Sequence, residues 1–268
     1  MTRKEIKYSF SIGYRCNSVQ FLRRYEMSKF SGPFDWMYID IESAVENIAN
    51  YFKVYLSDIA VIKKDENILE LINSEKYDSV RDDIKMFFDG TPVYMKQGYS
   101  GQLLPINQNY SNPKSNDIYR WDRVCVFLHH DFRKDDEIEK IRIRISRFNE
   151  ATAKSPEDSL LLYVSKILDD TTVSAEIDRL SSLYGTLDKR LNIVSVLCFP
   201  HEEERHVMID NMLFIIKKVP GYQEQYETYE TDNNFEWLEW GMQGLNFDKE
   251  FEIIEKYYQF NLAYKEEV

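Results

Sequence analysis

Apolar runs of strand length alternate along this chain with segments of helical period. Runs rich in Val, Ile, Leu and Phe stand at Tyr8–Ile12, Val124–His129, Leu160–Ser165, Asn192–Cys198 and, more weakly, Met212–Lys217. They are nearly continuous rather than alternating, which is the pattern of strands buried on both faces, as in a parallel sheet covered by helices. Helical period runs through Asn17–Met27, Ile41–Leu56, Asp135–Thr152, Val173–Tyr184 and Phe251–Tyr264. Ile138, Ile141, Ile145 and Phe148 form an amphipathic stripe, with Lys140, Arg142 and Arg144 on the opposite face. Helices between strands imply βαβ units. The expected fold is therefore α/β, a mainly parallel sheet flanked by helices in a Rossmann-like three-layer arrangement, as a single domain. Residues 57–122 interrupt it with turn signals (Asp89-Gly90, Thr91-Pro92, Gly98 to Gly101, Asn109 to Asn116) and weak helices. They read as a loop-rich insertion or lid subdomain.

Length and composition agree with a soluble globule. The chain has 268 residues, 43% hydrophobic and 30% charged, so it can bury a sizeable core without disulfides. No window reaches the roughly 18 apolar residues of a membrane span, and the charged start lacks the features of a signal peptide. A cytoplasmic location is expected. Three cysteines, Cys16, Cys125 and Cys198, are too few and too scattered for a zinc ribbon or redox pair. No metal is expected. The net charge of −12 argues against general nucleic-acid binding. Its distribution is uneven: residues 1–30 carry seven basic side chains against two acids, whereas residues 221–268 carry twelve acids and three lysines.

The first strand ends in Ser11-Ile12-Gly13-Tyr14-Arg15-Cys16, and a helix follows. Ligands of open α/β sheets bind at the carboxyl ends of strands, and a helix N-terminus favours thiolate over thiol. Cys16 is thus a candidate nucleophile; the alternative is a small buried core residue. Gly13 permits a tight turn, and backbone N–H groups near Gly13 and Cys16 could form an oxyanion hole. A cysteine nucleophile needs a base. His129 and His130 end the run at Val124, and His201 follows the run at Asn192, placing both groups at strand ends. His130, beside Asp131, is the better candidate. Neighbouring strand residues point to opposite faces, so one of His129 and His130 faces the site. Asp131 is too close along the chain to be taken as the orienter of His130. Between cysteine and histidine lies Ser31-Gly32-Pro33-Phe34-Asp35-Trp36, a turn with two aromatic anchors. Asp35 reads either as an orienter or as half of a salt bridge to Arg23 or Arg24.

Together these residues carry a resemblance. Ser-Ile-Gly-x-x-Cys at 11–16, Leu-Arg-Arg at 22–24, Ser-Gly-Pro-Phe-Asp-Trp at 31–36, His-Asp-Phe at 130–132 and Arg-Ile-Ser-Arg-Phe at 144–148 resemble a bacterial family of uncharacterised proteins labelled papain-like cysteine peptidases. The resemblance implies Cys16 as nucleophile, His130 as its partner, and Asp35 and Asp131 as acidic candidates. The glycine-then-cysteine start is also similar to that of a capsular-polysaccharide enzyme family with a Cys–His pair and coenzyme A binding. For the fold, the βαβ periodicity is preferred to the papain label, because a papain histidine lies in an antiparallel barrel.

Two functions follow. The first is a cysteine enzyme acting on an acyl group, either a hydrolase without cofactor or an acyltransferase of polysaccharide biosynthesis using a coenzyme A-type donor. Ser11, Gly13, Asn17, Trp36 and His129 would line its substrate site. Arg15, Arg23, Arg24, Arg144 and Arg147 favour an anionic small-molecule, peptide or glycan substrate, unless they simply pair with the many carboxylates. The second is a non-catalytic glycan- or ligand-binding protein, suggested by the acidic aromatic tail (Tyr222, Tyr226, Tyr229, Trp237, Trp240, Tyr257, Tyr258).

Overall fold

A computed structural model describes residues 2–14, 16–56, 59–62, 93–96, 102–105, 119–122, 125–127, 130, 135–168, 171–219 and 246–263. In chain order the elements are β1 (Lys4–Ile6), β2 (Tyr8–Ser11), α1 (Asn17–Arg24), β3 (Tyr38–Ile39), α2 (Ile41–Ala49), β4 (Ile59–Ile62), β5 (Val93–Lys96), β6 (Gln102–Pro105), β7 (Tyr119–Asp122) and β8 (Cys125–Phe127). Then come α3 (Asp135–Lys154), β9 (Ser159–Ile167), α4 (Val173–Tyr184), β10 (Asn192–Phe199), β11 (Arg205–Ile209), β12 (Met212–Lys218), α5 (Asp248–Tyr257) and β13 (Tyr258–Phe260).

The fold is mixed α/β. Its largest sheet has the order β11-β12-β10-β9-β2, parallel throughout except for the edge pair β11–β12. Every residue of β10 is buried, as the unbroken apolar run requires of a strand covered on both faces. Alternate residues serve two cores. Leu161, Tyr163, Ile193 and Phe214 pack with Val45 and Ile48 of α2, Ile141 and Phe148 of α3, and Leu180 of α4. Leu160, Leu162, Val194 and Leu213 pack with Phe21 and Leu22 of α1 and Ile254 of α5. No helix among the described residues is long and apolar enough to cross a membrane.

Sequence periodicity located these elements well but misassigned one strand. The run at Val124–His129 was expected in the parallel sheet. Its described part, β8, instead belongs to an antiparallel sheet of order β3-β8-β5-β4. A short apolar run reads alike in either setting, so only the pairing partners decide. The described parts of 57–122 are strands, β4 to β7, where weak helices were expected; the rest of that segment, expected as an insertion or lid, lies outside the described residues. Three helices also end early, α1 at Arg24 rather than Met27. After α2, Tyr51 and Phe52 take φ of 52° and 56°, which cannot continue a helix. Tyr258–Phe260, expected as helix, pair in parallel with Lys4–Ile6.

The two larger sheets share the first core, since Ile39, Cys125 and Phe127 lie in the same cluster as Phe10 and Leu161. They meet at the turn after β2. Gly13 has φ of 107°, and a Cβ there would stand 3.0 Å from the Ile39 carbonyl oxygen, so both conformation and space demand glycine.

Candidate active site

Cys16 occupies the N-cap position of α1, and its carbonyl accepts the first helical bond from Gln20 at 2.9 Å. The three cysteines differ in access. Cys125 and Cys198 are fully buried, whereas Cys16 is half-buried. Burial pushes the Cys198 thiol up to about 12, which makes it inert at neutral pH. The turn carrying Cys16 is held by Ser18. Its hydroxyl donates to the Gly13 carbonyl and accepts from the Val164 N–H at 2.9 Å. Beside Cys16, Asn17 is 4% exposed, and its Oδ1 is buried without a hydrogen-bond partner.

The loop of residues 31–36 folds back over the end of β2. Phe34 is buried against Phe52 and Tyr55, at ring-centroid distances of 5.3 and 5.6 Å. The Tyr55 hydroxyl donates to the Pro33 carbonyl at 2.9 Å. Trp36 is only half-buried and has φ of 64°, a strained backbone for a bulky residue of the kind that clusters at functional sites. Asp35 is 2% exposed. One oxygen accepts from Ser11 Oγ at 2.5 Å and the other from the Gly32 N–H at 2.9 Å. The expected salt bridge to Arg23 or Arg24 does not form. Arg23 and Arg144 lie only within electrostatic range of Asp35, because a hydroxyl and a backbone amide already occupy its carboxylate. Burial pushes the carboxyl above its usual range against the opposing pull of these bonds.

His130 is 5% exposed. Its Nδ1 lies 3.1 Å from Glu137 Oε2, and the ring stands edge-on to Phe127 with centroids 6.2 Å apart. Burial holds its pKa below the usual histidine range. Glu137 and hydrogen bonding to the Asp35 backbone favour the charged ring, while Arg144 opposes it. Glu137 is itself held below the usual carboxylate range. Burial would push it up, but hydrogen bonds from Lys140 at 2.9 Å and from His130 outweigh this. With Glu137 accepting at Nδ1, a neutral ring carries its proton there.

Glu137 is the residue that sequence reasoning missed. Asp131 was the acidic candidate next to His130, but Asp131, His129 and Arg15 lie outside the described residues. The signal for Glu137 was helical spacing. Glu137, Ile141, Arg144 and Phe148 recur at four, three and four, so they share one face of α3. Arg144 was expected on the outer face. It is instead half-buried, with Nη1 covered, and its charge reaches Asp35 and His130. Arg23 donates to Ser31 Oγ at 2.9 Å, and the Arg147 guanidinium lies 5.1 Å from the Phe30 ring centroid. Arg24 turns to another partner, standing 5.7 Å from the Tyr25 ring centroid and within electrostatic range of Asp248 on α5. The structure thus gathers Ser11, Asp35, His130, Glu137 and Arg144 at the junction of the two sheets, with Gly13 on the adjoining turn. Arg24 stands apart from them.

The His130 ring is buried and held by Glu137, and Cys16, on the turn after β2, is the half-buried one of the three cysteines. A family model described as "Putative papain-like cysteine peptidase" matches residues 7–198, more than half of the chain. The chain belongs to that family. No curated protein and no solved structure matches it. The papain-like family match runs from Lys7, just before β2, to Cys198 in β10 and so includes Cys16, Asp35, His130 and Glu137. It also bears on the placement of the histidine. In this papain-like family member His130 follows an antiparallel strand, as the label implied, and not a strand of the parallel sheet.

Proposed function

We propose that this chain is a cysteine-dependent hydrolase in which Cys16 attacks an acyl carbon and His130 serves as its base. The observation that carries the reading is the His130–Glu137 pair, 3.1 Å apart and largely buried. It holds the ring through Nδ1, and on this reading Nε2 takes the proton. The reading takes the five-stranded sheet as doubly wound, with Cys16 on the turn at its carboxyl edge.

In the proposed reaction Cys16 Sγ gives its proton to His130 Nε2 and bonds to the carbonyl carbon. The carbonyl π electrons move to oxygen, where N–H groups of the Gly13–Cys16 turn stabilise them. On collapse the bond to the leaving group breaks, and the imidazolium returns the proton to it. His130 then takes a proton from water as the water oxygen attacks the thioester. The second collapse releases the acid, and the proton returns to sulfur. Glu137 keeps Nδ1 protonated throughout and offsets the charge on the ring.

The test is alkylation by iodoacetamide, followed at each cysteine as a function of pH. Cys16 is expected to react far faster than Cys125 or Cys198, with a midpoint well below the ordinary thiol value of about 8.5. His130→Ala should slow Cys16 near neutral pH. A Cys16 that titrates at the ordinary value and ignores the His130 substitution overturns the proposal.

A further inference from the structure

Four arginines of this acidic protein stand against carboxylates. Arg142 lies 3.6 Å from Glu139, Arg190 2.7 Å from Asp188 and Arg205 3.3 Å from Glu202, while Arg179 bridges Glu176 and Glu42. Arg23, Arg144 and Arg147 behave differently, and they converge on one loop. Arg23, exposed at the end of α1, donates to the Ser31 hydroxyl at 2.9 Å. Arg147, half-buried on α3, covers the Phe30 ring. Arg144, one turn earlier on α3, has a buried Nη1 with no hydrogen-bond partner.

None of the three forms an ion pair with an acid among the described residues. Among the described residues, Asp35 is the acid within electrostatic range of Arg23 and Arg144, and its two oxygens are taken by Ser11 and Gly32. Burial further favours the neutral form of that carboxyl, so it is a poor counter-charge. Placing like charges together without a partner is unfavourable, and a buried guanidinium nitrogen without an acceptor adds to the cost. In a chain with 46 acids such a cluster is not a by-product of composition. Arginine's planar fork matches carboxylate and phosphate oxygens two at a time.

We propose that Arg23, Arg144 and Arg147 form an oxyanion-binding site on the Phe30–Asp35 loop, which holds the carboxylate or phosphate of an acidic ligand beside His130. Arg23 and Arg147 present the charge at the surface, and Arg144 supports it from beneath. The site depends on the arginines alone and does not require Cys16 to be a nucleophile.

Inorganic phosphate and succinate, each titrated calorimetrically into the full chain at low ionic strength, test this site. At least one is expected to bind saturably, and the tighter of the two names the group. Arg147→Gln and Arg23→Gln should each weaken binding about ten-fold, the scale of one charge-assisted hydrogen bond. Arg142→Gln, which alters a paired arginine on the same helix, should leave it unchanged. Arg144→Gln should abolish binding; because Arg144 is partly buried, the variant of the exposed Arg23 keeps the test decisive if the Arg144 variant fails to fold. Cys16→Ser should bind like the unaltered chain, which separates this site from the cysteine chemistry. Failure of both anions to bind saturably, or equal weakening by Arg142→Gln, overturns the proposal.

Discussion

His130 sits between opposing influences. Burial disfavours its charged form, and Glu137 favours it. The balance keeps the folded pKa below that of an unfolded histidine, about 6.5. The stability this ring contributes is therefore complete above that value and is lost as pH falls through the lower folded pKa. Asp35 works in the other sense. Its raised pKa makes its contribution complete at low pH and lost as pH rises through the folded value. Replacing Glu137 by Gln keeps an acceptor at Nδ1 but removes the negative charge. The His130 midpoint, followed by NMR titration of the ring protons, is then expected to move further down. A midpoint that stays put or rises would show that Glu137 is not in contact with the ring in solution. The distinction between what the sequence revealed and what it hid is physical. Cys16 and Asp35 stand in local motifs, where a turn and a helix start suggest chemistry from neighbouring residues alone. Glu137 and Arg144 act through contacts made by one face of a helix, and their spacing is the same as that of an ordinary amphipathic stripe.

The turn between β2 and α1 shows how elements create this site. A strand buried on both faces leads into a helix whose first turns pack against β9. Ser18 joins the pieces, since it donates to Gly13 and accepts from Val164. Ser18 is fully buried, so neither partner finds water when the hydroxyl is removed. Ser18→Ala should cost about 1–3 kcal/mol of unfolding free energy, the penalty for orphaned buried groups. Alkylation of Cys16 by iodoacetamide should lose its selectivity over Cys125 and Cys198, because the turn loosens. Urea denaturation measures the first effect, and a variant as stable as the parent would refute the bridging role. Elements with local punctuation were legible. The expected bounds of α4, Val173–Tyr184, match the structure, where Thr172 caps the start and Gly185 follows the end. The segment at Tyr258 was not legible. It continues an amphipathic pattern, but its pairing with Lys4–Ile6 lies more than two hundred residues away in sequence and outweighs local preference.

At the scale of the molecule, the last helix is fastened to the central sheet by a buried ion pair. Lys217 ends the buried part of β12, and Glu250 lies in the first turn of α5. Their side chains are 8% and 3% exposed, with Nζ 3.1 Å from each carboxylate oxygen. Nζ also donates to the Asn246 carbonyl at 2.7 Å and stands 4.9 Å from the Phe247 ring centroid, so the cation is fully satisfied. A pair of this kind holds position more than it adds stability, since desolvating two charges offsets much of their attraction. That balance gives an asymmetric expectation. Lys217→Met strands a buried carboxylate and should cost about 3–5 kcal/mol in urea unfolding. Lys217→Met combined with Glu250→Leu removes both charges and fills the space with apolar atoms, and it should recover most of that loss. The arginine site and Cys16 lie on other elements, so phosphate binding and Cys16 alkylation of the folded double variant should match the parent. A double variant as unstable as the single one would mean that the pair supplies attraction beyond its desolvation cost, and that α5 depends on the charges themselves rather than on the apolar contacts of Phe247 and Ile254.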